Sequence, residues 1–272
     1  MEPDPKPYVH GRSERESERL RYQASGLAAF LHRGTRYPPG SGVLEIGCGV
    51  GAQTVILLEN SPGAGFTCVD VSAESLASAE ARVKAAGFSN VAFRRADIYN
   101  LPFLPGSFDH VFVCFLLEHL PDPVLALKKI RDVVRPGGTV TAIEGDHGSA
   151  LFYPQSRDAQ AVIGCLVDIQ REMGGNALIG RELPHLFREA GFTRIRVSPR
   201  PVFADGNVPQ ASEAVKNIFI AMIEGVKDEA LARGKIDNKT WEKGIRDLYR
   251  TTEPGGSFCY TFFKAVGVRG KR

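Results

Sequence analysis

The chain has 272 residues, 43% of them hydrophobic and 24% charged, with a net charge of +3 and a sequence pI near 8.6. That supports one large α/β domain with an elaboration, and the charge is too mild for a nucleic-acid groove, which would want a basic stripe interleaved with aromatics. Apolar runs such as Val111 to Leu117 are too short to span a bilayer, and the five cysteines, odd in number and never spaced C-x-x-C, read as reduced core thiols with no metal site.

The first segment, Met1 to about Pro39, opens polar and proline-rich (Pro3, Pro5, Pro7), with no apolar signal core, which reads as a cytoplasmic protein. Helical patterning follows from Ser13 to His32, with Leu20, Leu27, Phe30 and Leu31 as its apolar members and Ser13-x-x-Glu16 as a capping box. Tyr8 and His10 precede it, either as loop residues or as groups that reach a site.

The run Val43-Leu-Glu-Ile46 reads as a buried strand, and it breaks into Gly47, Cys48, Gly49, Val50 and Gly51 before Gln53 to Leu58 takes on a helical look. A strand, a glycine turn and a helix N-terminus form a nucleotide-binding place free of side chains. Gly47, Gly49 and Ala52 also satisfy the looser dinucleotide pattern G-x-G-x-x-G/A, so the glycines alone leave NAD open. Glu45, two residues before the first glycine, would repel a pyrophosphate and suits the cationic methionine end of S-adenosylmethionine.

Phe66-Thr-Cys-Val-Asp70 reads as a second strand ending in an acid, 19 residues on from Gly51, where a carboxylate can accept both ribose hydroxyls of an adenosine. Val91 to Asp97 is a third strand-like run followed by Ile98, and a fourth lies within Ser107-Phe-Asp-His-Val-Phe-Val-Cys. A helix pattern from Val124 to Val134 leads through Arg135-Pro-Gly-Gly138 into a fifth strand, Thr139 to Ile143. Acids at three successive strand tips (Glu45, Asp70, Asp97) point to a ligand along one edge.

The ordered set V-L-E-I-G-C-G-V-G, C-V-D, A-D-I, S-F-D-x-V-F and R-P-G-G, over about residues 43–143, resembles the class I S-adenosylmethionine-dependent methyltransferases. The branch it looks like is the one with ubiquinone/menaquinone C-methyltransferases and many small-molecule methyltransferases. The resemblance implies a Rossmann-like α/β fold: a seven-stranded, mostly parallel sheet with helices on both faces, an N-terminal helical lid and a C-terminal helical insertion. It implies a single methyltransferase domain over 1–272, with the lid at 1–39, the cofactor-binding core at 40–150 and substrate-side helices and last strands at 151–272. It also implies that Gly47, Gly49 and Gly51 cradle the methionine moiety, with Glu45, Cys48, Gln53 and Tyr8 beside it. Asp70 would hold the ribose, Asp97 and Ile98 the adenine, and Val71 the adenine's other face, while Cys114 and Phe115 approach the methionine portion.

Acceptor choice lies outside these motifs. Glu144-Gly-Asp-His-Gly-Ser-Ala-Leu-Phe-Tyr153 reads as a constrained loop after the fifth strand, placing Glu144, Asp146, His147 and Tyr153 where an acceptor would sit. His147 is the favoured proton acceptor, with Asp146 near it and His119 of Leu-Glu-His-Leu as rival. Beyond these, Ala159 to Met173 and Gly180 to Ala190 read as helices, the second ended by Gly191, and Thr193 to Val197 as strand six. Ser212 to Arg233 and Lys239 to Tyr249 read as paired helices before a last strand, Phe258 to Phe263. Aromatic Phe219, Trp241, Tyr249 and Tyr260 read as core; Phe219 and Met222 line either that core or an apolar acceptor pocket. Arg181 either grips a carboxylate or is solvated, and the basic tail Arg269-Gly-Lys-Arg272 reads as a solvated end.

The expected activity is methyl transfer to O, N or C of a small, partly aromatic or heterocyclic metabolite by a monomer or homodimer, with no nucleic-acid partner. An NAD(P)-linked oxidoreductase and a non-catalytic cofactor-binding subunit are the alternatives.

Overall fold

Four apolar runs with little internal polarity set the centre of the molecule. The structure, a computed structural model, describes residues 30–271. In it these runs form β1 (Gly42–Ile46), β2 (Gly65–Asp70), β4 (Phe108–Cys114) and the Val140–Ile143 stretch of β5 (Val134–Tyr153). Such runs suit strands covered on both faces. The remaining strands are β3 (Val91–Arg95), β6 (Phe192–Asp205) and β7 (Ser257–Arg269). All seven strands join one sheet in the order β3-β2-β1-β4-β5-β7-β6. β1 to β5 run parallel, and β7 lies antiparallel between β5 and β6. The expected mostly parallel seven-stranded sheet is borne out.

Helices α1 (Ala52–Asn60), α2 (Ala73–Ala85), α3 (Pro123–Val133), α4 (Arg157–Glu172) and α5 (Ile179–Glu189) cover the two faces. Leu57, Leu76, Leu166 and Phe112 share one buried cluster, while Leu127, Ile130, Phe187 and Val113 share the other. Capping explains where α2, α3 and α4 begin: Ser72, Asp122 and Ser156 each accept a backbone N–H from the first turn. The chain reverses direction across the sheet between β1 and β4, so ligands fall in the crevice beyond the carboxyl ends of those strands.

The helical insertion is more broken than its sequence suggests. It comprises α6 (Pro209–Ala214), a π-helical turn Val215–Ile220, α7 (Ala221–Glu224) and α8 (Lys227–Ala232), then α9 (Asn238–Arg250). α9 packs on α4 where Gly244 leaves no room for a side chain against the Asp158 carbonyl, and Trp241 is buried beside it.

β5 departs furthest from expectation. Instead of ending at Ile143 it runs 20 residues in all, to Tyr153, pairing with β7 through Asp146–Thr261 and, past a bulge, through Leu151–Cys259 and Tyr153–Ser257. β6 extends alongside to Asp205. The segment 144–153 is therefore ladder and not loop. Gly145 and Gly148 are glycines because Tyr260 on one side, and Leu178 and Arg181 on the other, occupy the space of their side chains.

Residues 30–37 lie against the sheet. His32 stacks on Phe112 and bonds through Nε2 to the Gln53 side chain, while Tyr37 packs on Phe66 and His110. Buried Lys264 donates to the Arg33 carbonyl and to Thr35, and Arg200 donates to the carbonyls of Phe30 and Arg33. Tyr8, His10 and most of the Ser13–His32 pattern lie outside the described residues. Among the described residues no helix is long and apolar enough to cross a membrane.

Candidate active site

The glycine turn closes β1. Gly47, Gly49 and Gly51 all have positive φ (+73°, +51° and +75°), where L side chains are strained. Space separates their tasks. A Cβ on Gly51 would meet the Ala79 backbone at 2.9 Å, and one on Gly47 would meet the Leu116 side chain at 3.0 Å. A Cβ on Gly49 would meet nothing within 4 Å, so Gly49 alone of the three faces open room.

Asp70 sits at the tip of β2 beside it. Its Oδ2 accepts the Gly49 N–H (2.9 Å) and its Oδ1 the Ser72 N–H (2.9 Å), which leaves each oxygen a further lone pair. Val71 next to it is 42% exposed, an apolar surface beyond the strand tips. Past β3, Asp97 accepts the Tyr99 N–H, and Ile98 is buried against the second cluster. These groups fit an adenosine: an open glycine, a carboxylate with spare acceptors and an apolar ledge, all at adjoining strand ends.

The side chains of Glu45, Cys48 and Gln53, expected near the cofactor, are engaged by the protein itself. Glu45 is buried and accepts from Thr54 Oγ1 (2.7 Å) and the Cys68 thiol (3.5 Å); burial pushes its carboxyl up to about 7. The Cys48 side chain points into the first cluster, and burial raises its thiol, so only its backbone lines the turn. The Gln53 side-chain oxygen is committed to His32. At the tip of β4, Cys114 is half-buried, and Phe115 holds a φ of +53° without being glycine. Backbone strain of that kind costs about 1–3 kcal/mol and collects at functional sites.

Within β5, residues 144–147 form a second cluster of polar groups. Along a strand successive side chains face opposite ways. Asp146 therefore turns toward α5, where Arg181 grips it with two bonds (Nε–Oδ2 2.6 Å, Nη2–Oδ1 2.7 Å). This corrects two expectations together: Arg181 holds Asp146 instead of a ligand carboxylate, and Asp146 is an anchor on the opposite face from His147. Tyr153, also expected near the acceptor, is 61% exposed on the outer face of the extended β5.

His147 is buried at 4% exposure. Its Nδ1 is 2.9 Å from the Tyr260 hydroxyl, and its Nε2 is 3.7 Å from Glu118 Oε2, an ion-pair distance longer than a hydrogen bond. Glu118 lies on the 3₁₀ turn Leu117–His119 above β4. Its Oε2 accepts from Gln170 Nε2 (3.2 Å), and His119 Nε2 is 3.6 Å from Oε1. Burial raises the Glu118 carboxyl, but the neighbouring His119, His147 and Gln170 overcome that and hold it below the usual carboxylate range. Glu144, fully buried, accepts the N–H groups of Leu116 and Leu117, and its Oε2 finds no partner among the described residues. Burial and the Glu118 charge push it well above the ordinary carboxyl range. Two neighbouring buried carboxyls are thus pushed in opposite directions.

Aromatic rings wall this cluster. Phe219 of the π-helical turn lies 5.2 Å from Tyr260 and 6.4 Å from His147, with Met222 in the same cluster. Tyr260 meets Phe262 at 4.7 Å, and Phe262 meets Phe115 at 5.6 Å. Sequence reasoning missed Glu118, Gln170 and the role of Tyr260. The available signal was the one phenol among the rings of the aromatic run Phe258 to Phe263.

Comparison with known proteins agrees. Residues 44–142 match the family described as "Methyltransferase domain". The demethylmenaquinone methyltransferase of Geobacillus kaustophilus is 30% identical over 177 residues, covering 59% of this chain and 74% of that one. An uncharacterized methyltransferase of Schizosaccharomyces pombe is 35% identical over 147 residues, and the chain spans about half of its length (52%). Among solved structures, the YcgJ protein of Bacillus subtilis superposes with a TM-score of 0.59 at 16% identity, covering 91% of this chain and 99% of that one. With strand order, glycine turn, strand-tip acids and relatives in agreement, this chain belongs to the class I S-adenosylmethionine-dependent methyltransferases.

Proposed function

We propose that the protein transfers the methyl group of S-adenosylmethionine to O, N or C of a small, partly aromatic or heterocyclic metabolite. The observation that carries this reading is the pairing of two half-sites at one sheet edge: the open Gly49 beside Asp70, and the buried His147 beneath an aromatic wall. When bound, the cofactor supplies a sulfonium methyl group already activated for transfer. The protein's part is to align the acceptor and exclude water, and alignment can contribute up to roughly 7–11 kcal/mol.

In this reading the glycine turn lies by the methionine end, Asp70 takes the ribose hydroxyls, and Asp97, Ile98 and Val71 surround the adenine. Cys114 and Phe115 border the reacting centre, Glu144 lies on its acceptor side, and Phe219 and Met222 contribute apolar wall. His147 accepts the proton that an O–H or N–H acceptor must lose. The demethylmenaquinone methyltransferase relative favours an aromatic ring as acceptor, in keeping with Phe115, Phe219, Tyr260 and Phe262.

Calorimetric titration of the full chain with S-adenosylhomocysteine and with NAD tests the cofactor. Micromolar binding of the first and none of the second is expected; the reverse would replace this reading with an oxidoreductase. A labelled-methyl assay over aromatic metabolites then tests transfer, and cofactor binding without transfer to any of them would favour a non-catalytic subunit.

A further inference from the structure

Building on the methyl-transfer reading, we infer that Tyr260 is the residue that touches the acceptor and takes its proton, with His147 as the base behind it and Glu118 as the positioning residue that fixes the imidazole tautomer. The inference follows from which ring nitrogen has a free lone pair. Nε2 of His147 is buried, has no hydrogen-bond partner among the described residues, and faces Glu118 Oε2 at 3.7 Å. A lone pair facing an anion in that setting is repelled, so Nε2 keeps its proton. Nδ1, 2.9 Å from the Tyr260 oxygen, is then the nitrogen left to accept, and the Tyr260 hydroxyl donates to it.

The surroundings hold this arrangement. Gln170 donates from Nε2 to both the backbone oxygen and Oε2 of Glu118, fixing the carboxylate's direction. Glu144 Oε1 accepts the N–H of Leu117 next to Glu118, and His119 stands on the far oxygen of Glu118. Asp146 and Arg181 neutralise each other on the opposite face of β5. The Ala177 carbonyl accepts the His147 N–H, locking the backbone (2.9 Å). From Tyr260 the rings of Phe262 and Phe115 lead straight to the tip of β4, where the methionine end belongs.

The step balances without another reactant. The acceptor's X–H proton passes to the Tyr260 oxygen as Tyr260's own proton passes to His147 Nδ1. The pair left on X forms the X–CH₃ bond while the S–CH₃ pair stays on sulfur as a neutral thioether. The positive charge, at first on the sulfonium, ends on the imidazolium facing Glu118. The arrangement has the logic of a carboxylate–histidine–hydroxyl triad, with a phenol in the hydroxyl's place.

Nitrogen NMR of the full chain labelled with ¹⁵N-histidine, with and without S-adenosylhomocysteine, tests it without knowing the acceptor. The His147 signals, assigned through His147→Gln, are expected to report the Nε2–H tautomer in the wild type. They should shift toward a tautomer mixture in Glu118→Gln, a change that a merely packing role for Glu118 would not produce. Tyr260→Phe should keep the fold and the S-adenosylhomocysteine affinity while lowering kcat about 100-fold or more on any O–H or N–H acceptor found. A wild-type Nδ1–H tautomer, or unchanged kcat in Tyr260→Phe, overturns the inference. S-adenosylhomocysteine binding by the wild type, measured in parallel, reports on the methyl-transfer reading alone.

Discussion

Gly145 on β5 lies so close beneath the Tyr260 hydroxyl of β7 that a methyl group at position 145 would overlap the phenolic oxygen. The glycine is thus the seat of the tyrosine. Gly145→Ala is expected to destabilise the protein by about 1–3 kcal/mol, the usual cost of overpacking. In a Tyr260→Phe background, where the oxygen is gone, the same change should cost measurably less. Denaturant unfolding of the four proteins in the double-mutant cycle checks this, and additive losses would show that the two positions do not press on each other.

Asp70 joins the glycine turn to the tip of β2 through two backbone N–H groups. Asp70→Asn keeps the shape but turns an NH₂ group toward one of those donors. Charged hydrogen bonds contribute about 1.5–3 kcal/mol, and each 1.4 kcal/mol is tenfold, so S-adenosylhomocysteine affinity should fall about 10- to 100-fold by calorimetry.

Glu45 gives a pH signature. Burial raises its carboxyl from 4.5 to about 7 in the folded chain. A raised folded-state pKa means stability is fully present below the unfolded value near 4.5 and is lost as pH rises through 7. Glu45→Gln cannot ionise, so its stability relative to wild type should climb between pH 5 and pH 8, by on the order of 3 kcal/mol. Thermal unfolding of both proteins across that range measures it; a constant difference would mean Glu45 is charged throughout.

Arg181 is the counter-ion of Asp146, which is almost wholly buried. Arg181→Ala leaves an uncompensated buried charge, at a cost of about 3 kcal/mol, the lower end for breaking such a pair because Arg181 itself is half exposed. A fall in Tm of roughly 5–10 °C is expected. Arg181→Ala with Asp146→Asn should recover part of it; no recovery would assign the loss to packing of the arginine stem.

Most of the cofactor half was legible in the residues, because each piece is local. A strand, its glycine turn and the acid at the next strand's tip fall within one stretch of chain, and Gly47 to Asp70 reads in order. The acceptor half was not, for two reasons. Gly145 and Gly148 punctuate the sequence like a loop, although they are there to admit Tyr260, Leu178 and Arg181 from elsewhere. Reading 144–153 as loop also discarded the period of two that sends Asp146 and His147 to opposite faces. The second reason is distance: Tyr260 meets His147 across 113 residues, and no local pattern announces that pairing. Glu118 was hidden differently, on the turn Leu117–His119, where His119 drew attention as the rival base.

The continuation of β5 beyond the parallel strands, zipped to β7 and β6, has a consequence for how acceptor preference can change. Where such a wall is made of loop, lengthening or shortening the loop reshapes it, but here the wall is rigid lattice with a fixed repeat. Selectivity on this side is then adjusted one side chain at a time, each position contributing to one face only, while the positions that seat the proton relay stay put.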